Sequence, residues 1–387
     1  MTTHILLKDH EEKQFFEIKG LLEFLRLQKE KDVWMQPIIA ETSIMDIPNC
    51  PNLQPEFISR YNLNCTEDEF RENMLDTGII IAIPGDSSKN YLFVRDTAYA
   101  SLCDRSGLKG PSLSKSFKTS KEHFSKILNL GLQLWTEKKG KLLIRDGKVS
   151  AFHSNEYVPL PAYDLVNRLE RGLSGDFPGS EFKEAMLTHS MLRARYEFPR
   201  QKDDILSSLN RALKRKGKPP VTGMPVLELC SSDVATSGAN IYTGLYTDDG
   251  YIRTGADLKV KHKGDATLAD FDDNAAKVYS LFKDASKKLE ELEAIPMMYP
   301  TDAFLHIAHD QLLPKRASEE AADEFDINRP IKCSALDVYF ALWNIDVKAE
   351  QTATPSELRL QEQIARALRL DFKKYDRPYT WQNIKSA

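Results

Sequence analysis

The chain has 387 residues, enough for one large or two medium domains, with 41% hydrophobic and 28% charged residues, the balance of a soluble globular protein. Its formal net charge is −4, so binding of nucleic acid through overall charge is excluded and such a role needs a local basic patch. The opening MTTHILLKDHEEK lacks a basic region followed by a long apolar run, and GIIIAI at 78–83 is too short to cross a bilayer; an intracellular, soluble, cytoplasmic protein is expected.

HILL at 4–7 reads as a short strand. A helix follows, with apolar positions at Phe15, Phe16, Ile18, Leu21, Leu22 and Leu25. QPIIAETSIMDI reads as a strand, and Thr66-Glu67-Asp68-Glu69 has the form of a capping box that opens a helix. GIIIAIP and NYLFV are buried strands separated by turn residues. Two helices follow, TAYASLCDRSGL, stopped by Gly107, and SKEHFSKILNLGLQLW.

RDGKVSAFHSNEY, from Arg145, is the second half of a hairpin whose turn is Asp146-Gly147. That turn pairs Arg145 with Lys148, Ile144 with Val149 and Leu142 with Ala151. His153 then falls on the apolar side, opposite Gly140. LPAYDLVNRLERGL is a helix. MPVLELCSS, ANIYTGLYT and GYIRTGADLKVKHKG form a meander with a second turn at Asp249-Gly250, interrupted upstream by the helix KDDILSSLNRALKRKG. A long helix over 274–293 ends before Pro296. A short helix spans 302–313, SEEAADEFD is a solvated acidic connection, CSALDVYFALWNI is a buried helix, and an amphipathic helix closes the chain.

Strands and helices do not alternate regularly. The expected fold is therefore α+β, with antiparallel β-meanders and hairpins packed against helices and a helical C-terminal region. The expected organisation is an N-terminal α+β region over 1–140, a central region over 141–330 and C-terminal helices over 331–387, all compatible with one compact unit.

Charge is unevenly placed. Residues 191–220 hold nine basic side chains and three acidic ones, a local excess of six positive charges. Among them are Arg211, Lys214, Arg215 and Lys216. On the last strand Lys259, Lys261 and Lys263 share one face, and Tyr242 and Tyr246 share a face of their own strand. A basic β-surface with aromatic side chains can track a phosphate backbone and stack bases. The competing reading is an edge strand that carries lysines to block aggregation. Arg145 opposite Lys148 adds a like-charge pair that calls for an anion.

Few residues suggest chemistry. In DAFLHIAHD, Asp302, His306 and His309 lie on one helix face, a spacing that suits a divalent ion; a solvated face is the competing reading. HSNEY holds His, Ser and Glu, but neighbours in a strand point apart and no G-x-S-x-G elbow is present. The five cysteines are at least 15 positions apart, so there is no C-x-x-C pair. Neither a P-loop nor a G-x-G-x-x-G motif occurs, and no cofactor is expected.

The segment LLIRDGKVSAFHSNEYVPLPAYDLVNRL resembles a recurring segment of the phage/plasmid-like family called domain of unknown function 932, with a D-G hairpin, an S-x-x-Y element at Ser154 and Tyr157, and a following helix. ELCSSDVATSGANIYTGLYTDDGYIRTGADLKVKHKGD is similar to the family's second segment, and SALDVYFALWNI to its closing helix. Ser150 stands where the family-like strand has arginine, and the cysteine-asparagine pair of the third strand is missing. The resemblance covers patches of 78–346. It implies a mobile-element protein and carries over no catalytic residue.

The resulting expectation is a non-catalytic nucleic-acid-binding protein, with single-stranded DNA preferred to RNA. It would use Arg211, Lys214, Arg215, Lys216, Lys259, Lys261, Lys263, Arg145 and Lys148 for phosphates and Tyr242 and Tyr246 for stacking. The β-β-β-helix order at 224–293 is similar to the core of single-strand annealing proteins. One alternative is a protein-interaction factor that counters host defence, with a host protein as partner. Another is a metal-dependent enzyme built on Asp302, His306 and His309. No membrane partner is expected, and self-association is compatible with the sequence.

Overall fold

The computed structural model describes residues 6–47, 54–63, 65–85, 88–108, 111–134, 137–234, 237–247, 250–254, 258–350 and 357–381. Within them the strands are β1 (Lys13–Phe15), β2 (Val33–Met35), β3 (Ser43–Asp46), β4 (Ile79–Pro84), β5 (Lys89–Phe93), β6 (Gly140–Arg145), β7 (Lys148–Ser154), β8 (Glu181–Leu187), β9 (Leu192–Glu197), β10 (Met224–Ser231), β11 (Ala239–Thr247), β12 (Gly250–Arg253) and β13 (Leu258–Val260). They build three antiparallel sheets. Two are small, β3-β4-β5 and β2-β6-β7. The large one has the order β1-β8-β9-β10-β11-β12, with β13 paired to the other end of β11. Helices make up most of the remainder, most densely after residue 268, so the fold is α+β with a helical C-terminal region. No helix among the described residues is long and apolar enough to cross a membrane.

Local chemistry explains several elements. Thr66 and Glu69 do form a reciprocal capping box at the helix Glu67–Asp76. Asp146 and Gly147 both have positive φ, +49° and +76°, which is the two-residue turn that matches the twist of paired strands. The hairpin begins in the expected register, with Arg145 opposite Lys148 and Ile144 opposite Val149.

A bulge then changes the register. Leu143 pairs with Ala151, Leu142 with Phe152 and Gly140 with Ser154. The extra residue is Ser150, whose hydroxyl accepts from Arg95 Nη1 at 2.7 Å. Parity beyond it is inverted relative to the sequence expectation. Phe152, not His153, takes the space left by Gly140, where a Cβ would overlap the Phe152 ring. His153 turns to the other face and stacks in parallel on Tyr157, 3.8 Å between centroids.

Other elements also depart from expectation. His4 and Ile5 of the expected first strand, and Asp249 of the second turn, lie outside the described residues; Leu6 and Leu7 form no strand. The helix expected over 274–293 is two, Leu268–Ala275 and Val278–Glu293. SEEAADEFD belongs to the helix Lys315–Asn328, because Ala317, Ser318, Ala321, Ala322 and Phe325 form a buried stripe at helical spacing.

The main apolar core lies on one face of the large sheet. Leu227 and Leu229 of β10 and Ala194 and Tyr196 of β9 pack with the helices Ala162–Asp176, Lys202–Arg215 and Val278–Glu293. Each fully buried Leu or Phe there contributes about 1.5–3 kcal/mol of apolar transfer. A second core lies beneath the small sheets, around Ile81, Leu142, Val149 and Phe152 and the helix Lys121–Leu134.

Candidate functional site

The opposite face of the large sheet is polar. On β10, Glu228 and Cys230 alternate with the core residues Leu227 and Leu229. Strand register places Arg195 and Tyr242 beside Glu228, and Arg193 and Asn240 beside Cys230. Further along, Gly244 faces Arg253, Tyr246 faces Tyr251, and Asn240 faces Lys259. One sheet face therefore carries Arg193, Arg195, Arg253 and Lys259 among three tyrosines.

Glu228 is the centre of this face and is 1% exposed. It accepts from Arg193 Nε at 2.8 Å and lies 3.5 Å from Arg253 Nη2. Burial opposes its charge, but Arg253 and Arg193 outweigh that and hold its carboxyl down at about 2. Arg195 Nη1 donates to Glu184 at 2.7 Å, and its guanidinium sits between Tyr246 and Tyr251, 5.6 and 5.3 Å from their ring centroids. Arg253 Nε and Nη1, Arg195 Nε and one oxygen of Glu228 find no hydrogen-bond partner among the described residues. Buried donors normally find one.

A cavity of about 240 Å³ opens over this face, lined by Gln14, Glu184, Arg193, Arg195 and Glu228. The helix Glu357–Arg366 covers the other end. Its Leu358 packs on Cys230 and Tyr242, and its Glu362 accepts from the Tyr242 hydroxyl and lies 3.3 Å from Lys259 Nζ. The arrangement offers forked donors to an anion and an aromatic rim, 48% exposed at Tyr246.

The residues expected from sequence fall in several places. Tyr246 and Lys259 lie on this face, and Lys261 is exposed just beyond β13. Lys263, also exposed, pairs with Glu156 at 3.2 Å. Tyr242 shares the face but is 1% exposed beneath the helix, so it is not a platform for stacking. Arg211, Lys214 and Arg215 are exposed on the helix Lys202–Arg215, which docks on the core face through Ile205, Leu206, Leu209 and Leu213. Lys216 bonds Glu293, and Lys218 bonds Glu293 and Asp337. The basic helix and the lysine strand thus flank opposite faces of the sheet and do not converge in one groove.

Arg145 and Lys148 are also corrected. Arg145 is 5% exposed and bonds Asp32 at 2.9 and 2.6 Å and Asp233 at 3.0 Å; Lys148 pairs with Asp9. The anions called for by this like-charge pair are carboxylates of the chain itself. The helix face of Asp302, His306 and His309 is covered by the C-terminal segment. His306 stacks on Tyr379 at 4.4 Å, His309 Nδ1 bonds the Tyr379 hydroxyl, and the neighbouring Asp310 accepts from Tyr375 at 2.8 Å.

Sequence reading missed Glu228, Tyr251 and Arg253 and did not single out Arg193 and Arg195. A signal was present in part: LRARYE and GYIRTG each place polar residues at alternate positions within strands. No family model matches this chain, and no curated protein or solved structure matches it.

Proposed function

We propose that the arginine-tyrosine face of the large sheet binds the phosphate backbone of a single-stranded nucleic acid, without catalysing a reaction on it. The observation that carries this reading is the open cavity lined by Arg193 and Arg195, where Arg195 Nε has no hydrogen-bond partner among the described residues and Arg193 is held by the buried Glu228. Such donors match phosphate oxygens, and the Tyr246 and Tyr251 rings lie 5.6 and 5.3 Å from the Arg195 guanidinium, within cation–π range, with Tyr246 exposed enough to meet a base. The family resemblance supports a mobile-element protein acting in the host cytoplasm, and DNA is the preferred strand.

The test is fluorescence anisotropy of a labelled oligothymidylate against salt concentration. Binding should weaken linearly on logarithmic axes, and R195A should reduce the slope by about 0.7 for the lost phosphate contact. Y246A should weaken binding by about 1–3 kcal/mol if one base stacks there. Absence of binding at low salt, or an R195A slope equal to that of the wild type, overturns the reading.

A further inference from the structure

The N-terminal segment brings His10 against two aspartates from separate elements. Asp76 ends the helix Glu67–Asp76, and Asp96 opens the 3-10 turn Asp96–Ala98 that follows β5. The His10 ring lies between them. Its Nε2 is 3.7 Å from an Asp76 oxygen and its Nδ1 is 3.7 Å from an Asp96 oxygen. One donor atom from each of the three residues lies within 4.8 Å of the other two.

Asp76 is poorly served by the protein. Its side chain is 6% exposed, and Oδ2 finds no hydrogen-bond partner among the described residues. It sits at the C-terminal end of a helix, where the peptide dipoles disfavour a negative charge. The neighbouring cations are engaged elsewhere. Arg95 Nε bonds Asp9 at 2.7 Å, Lys148 also bonds Asp9, and Lys121 lies over the Phe117 ring at 3.2 Å. A buried carboxylate without a cation in bonding contact is costly.

We propose that His10, Asp76 and Asp96 bind a divalent transition-metal ion of the Mn²⁺ or Zn²⁺ type, with two carboxylate oxygens and one imidazole nitrogen as ligands and water completing the shell. The mixed donor set separates this site from Mg²⁺ and Ca²⁺ sites, which take oxygen alone. Ligands about 2.1 Å from a tetrahedral ion stand roughly 3.4 Å apart, so donor atoms now within 4.8 Å of one another, with a single His10 nitrogen among them, reach the ion by side-chain rotation of the exposed His10 and Asp96. The ion would join three segments that are remote in sequence, the N-terminal strap, the end of a helix and the exit of a strand. This proposal is independent of the nucleic-acid reading, since the two sites share no residue.

The experiment uses the untagged full chain, stripped with a chelator and titrated with MnCl₂ or ZnCl₂ by calorimetry, with melting temperature as a second readout. His10 and Asp96 are each at least half exposed, so H10A and D96N keep the fold while removing a ligand. One ion bound per chain, a raised melting temperature, and at least tenfold weaker binding in each variant are the expected results. Mn²⁺ should also broaden the His10 ring resonances. No binding at millimolar concentrations of either ion, or affinity unchanged in either variant, overturns the proposal.

Discussion

The Arg253 guanidinium lies 3.7 Å from the centre of the Tyr242 ring, and the hydroxyl of that tyrosine donates to Glu362. One ring thus takes a cation on its face and an anion at its edge, and it links β12 to the C-terminal helix Glu357–Arg366. A desolvated cation–π pair of this kind is worth about 2 kcal/mol. It also holds the one fully buried arginine of the face against Glu228.

Loss of that arginine should be severe. R253M leaves Glu228 buried with one counter-charge fewer, and breaking a buried pair in this way costs about 3–5 kcal/mol. The double variant E228Q/R253M should recover part of the loss, because the buried carboxylate is removed together with Arg253; the loss of the Arg193–Glu228 pair limits the recovery. Urea denaturation of the three proteins measures this. A loss below about 1 kcal/mol in R253M would show that the pair is not coupled to stability.

Acid should destabilise the protein in two overlapping windows. Burial pushes His153 down from 6.5 to about 4, and His189, with Arg95 and Arg145 adding to burial, to about 3. As pH falls below 6.5 the unfolded chain takes up these protons first. The contribution of the neutral imidazoles is therefore complete above 6.5 and is lost as pH falls through their folded values. Glu228 has the same sign in a lower window, present above 4.5 and lost as pH falls through about 2. Shifts of this size correspond to about 3–5 kcal/mol each. H153Q should lower the slope of stability against pH in the upper window, with His189 and the likewise buried His262 keeping the remainder. E228Q should flatten only the lower window. Slopes equal to the wild type in both variants would contradict this account.

The bulge at Ser150 predicts a specific pair effect. G140A places a methyl group into the Phe152 ring and should cost about 1–3 kcal/mol by overpacking. F152L in the same chain should relieve much of that cost. Under the unbulged register His153 would fill the space, and F152L would then give no relief. Melting temperatures of the two single variants and the double variant separate these outcomes.

The contrast between turn and bulge shows what the residues announce locally. Asp146-Gly147 specifies its turn through backbone conformations that those two residues tolerate. The bulge depends on Arg95, 55 positions before Ser150, reaching its hydroxyl, and no local pattern reports that contact. Glu228 is a similar case. Within VLELC it reads as one polar residue in an apolar run, and its partners lie 35 and 25 positions away at Arg193 and Arg253. The alternation that puts the four basic residues on strand faces was legible. The meander of β10, β11 and β12 was legible as well, but the pairing of β9 with β10 across the helix Lys202–Arg215 was not, because that order is set by packing of the whole sheet. The amphipathic stripe of the helix Lys202–Arg215 was equally plain, yet it docks on the face opposite Lys259 and so divides the basic residues that were expected together.

Glu362 gives the polar face a tethered competitor. It holds the Lys259 ammonium at 3.3 Å and the Tyr242 hydroxyl from a helix of the same chain. An anion arriving at Lys259 must displace a carboxylate whose covalent attachment keeps its local concentration in the range of about millimolar or above. Weak, freely diffusing anions are thereby screened out. On the proposed nucleic-acid reading, a polyanion that also engages Arg195 and Arg193 would set several contacts at once against that carboxylate.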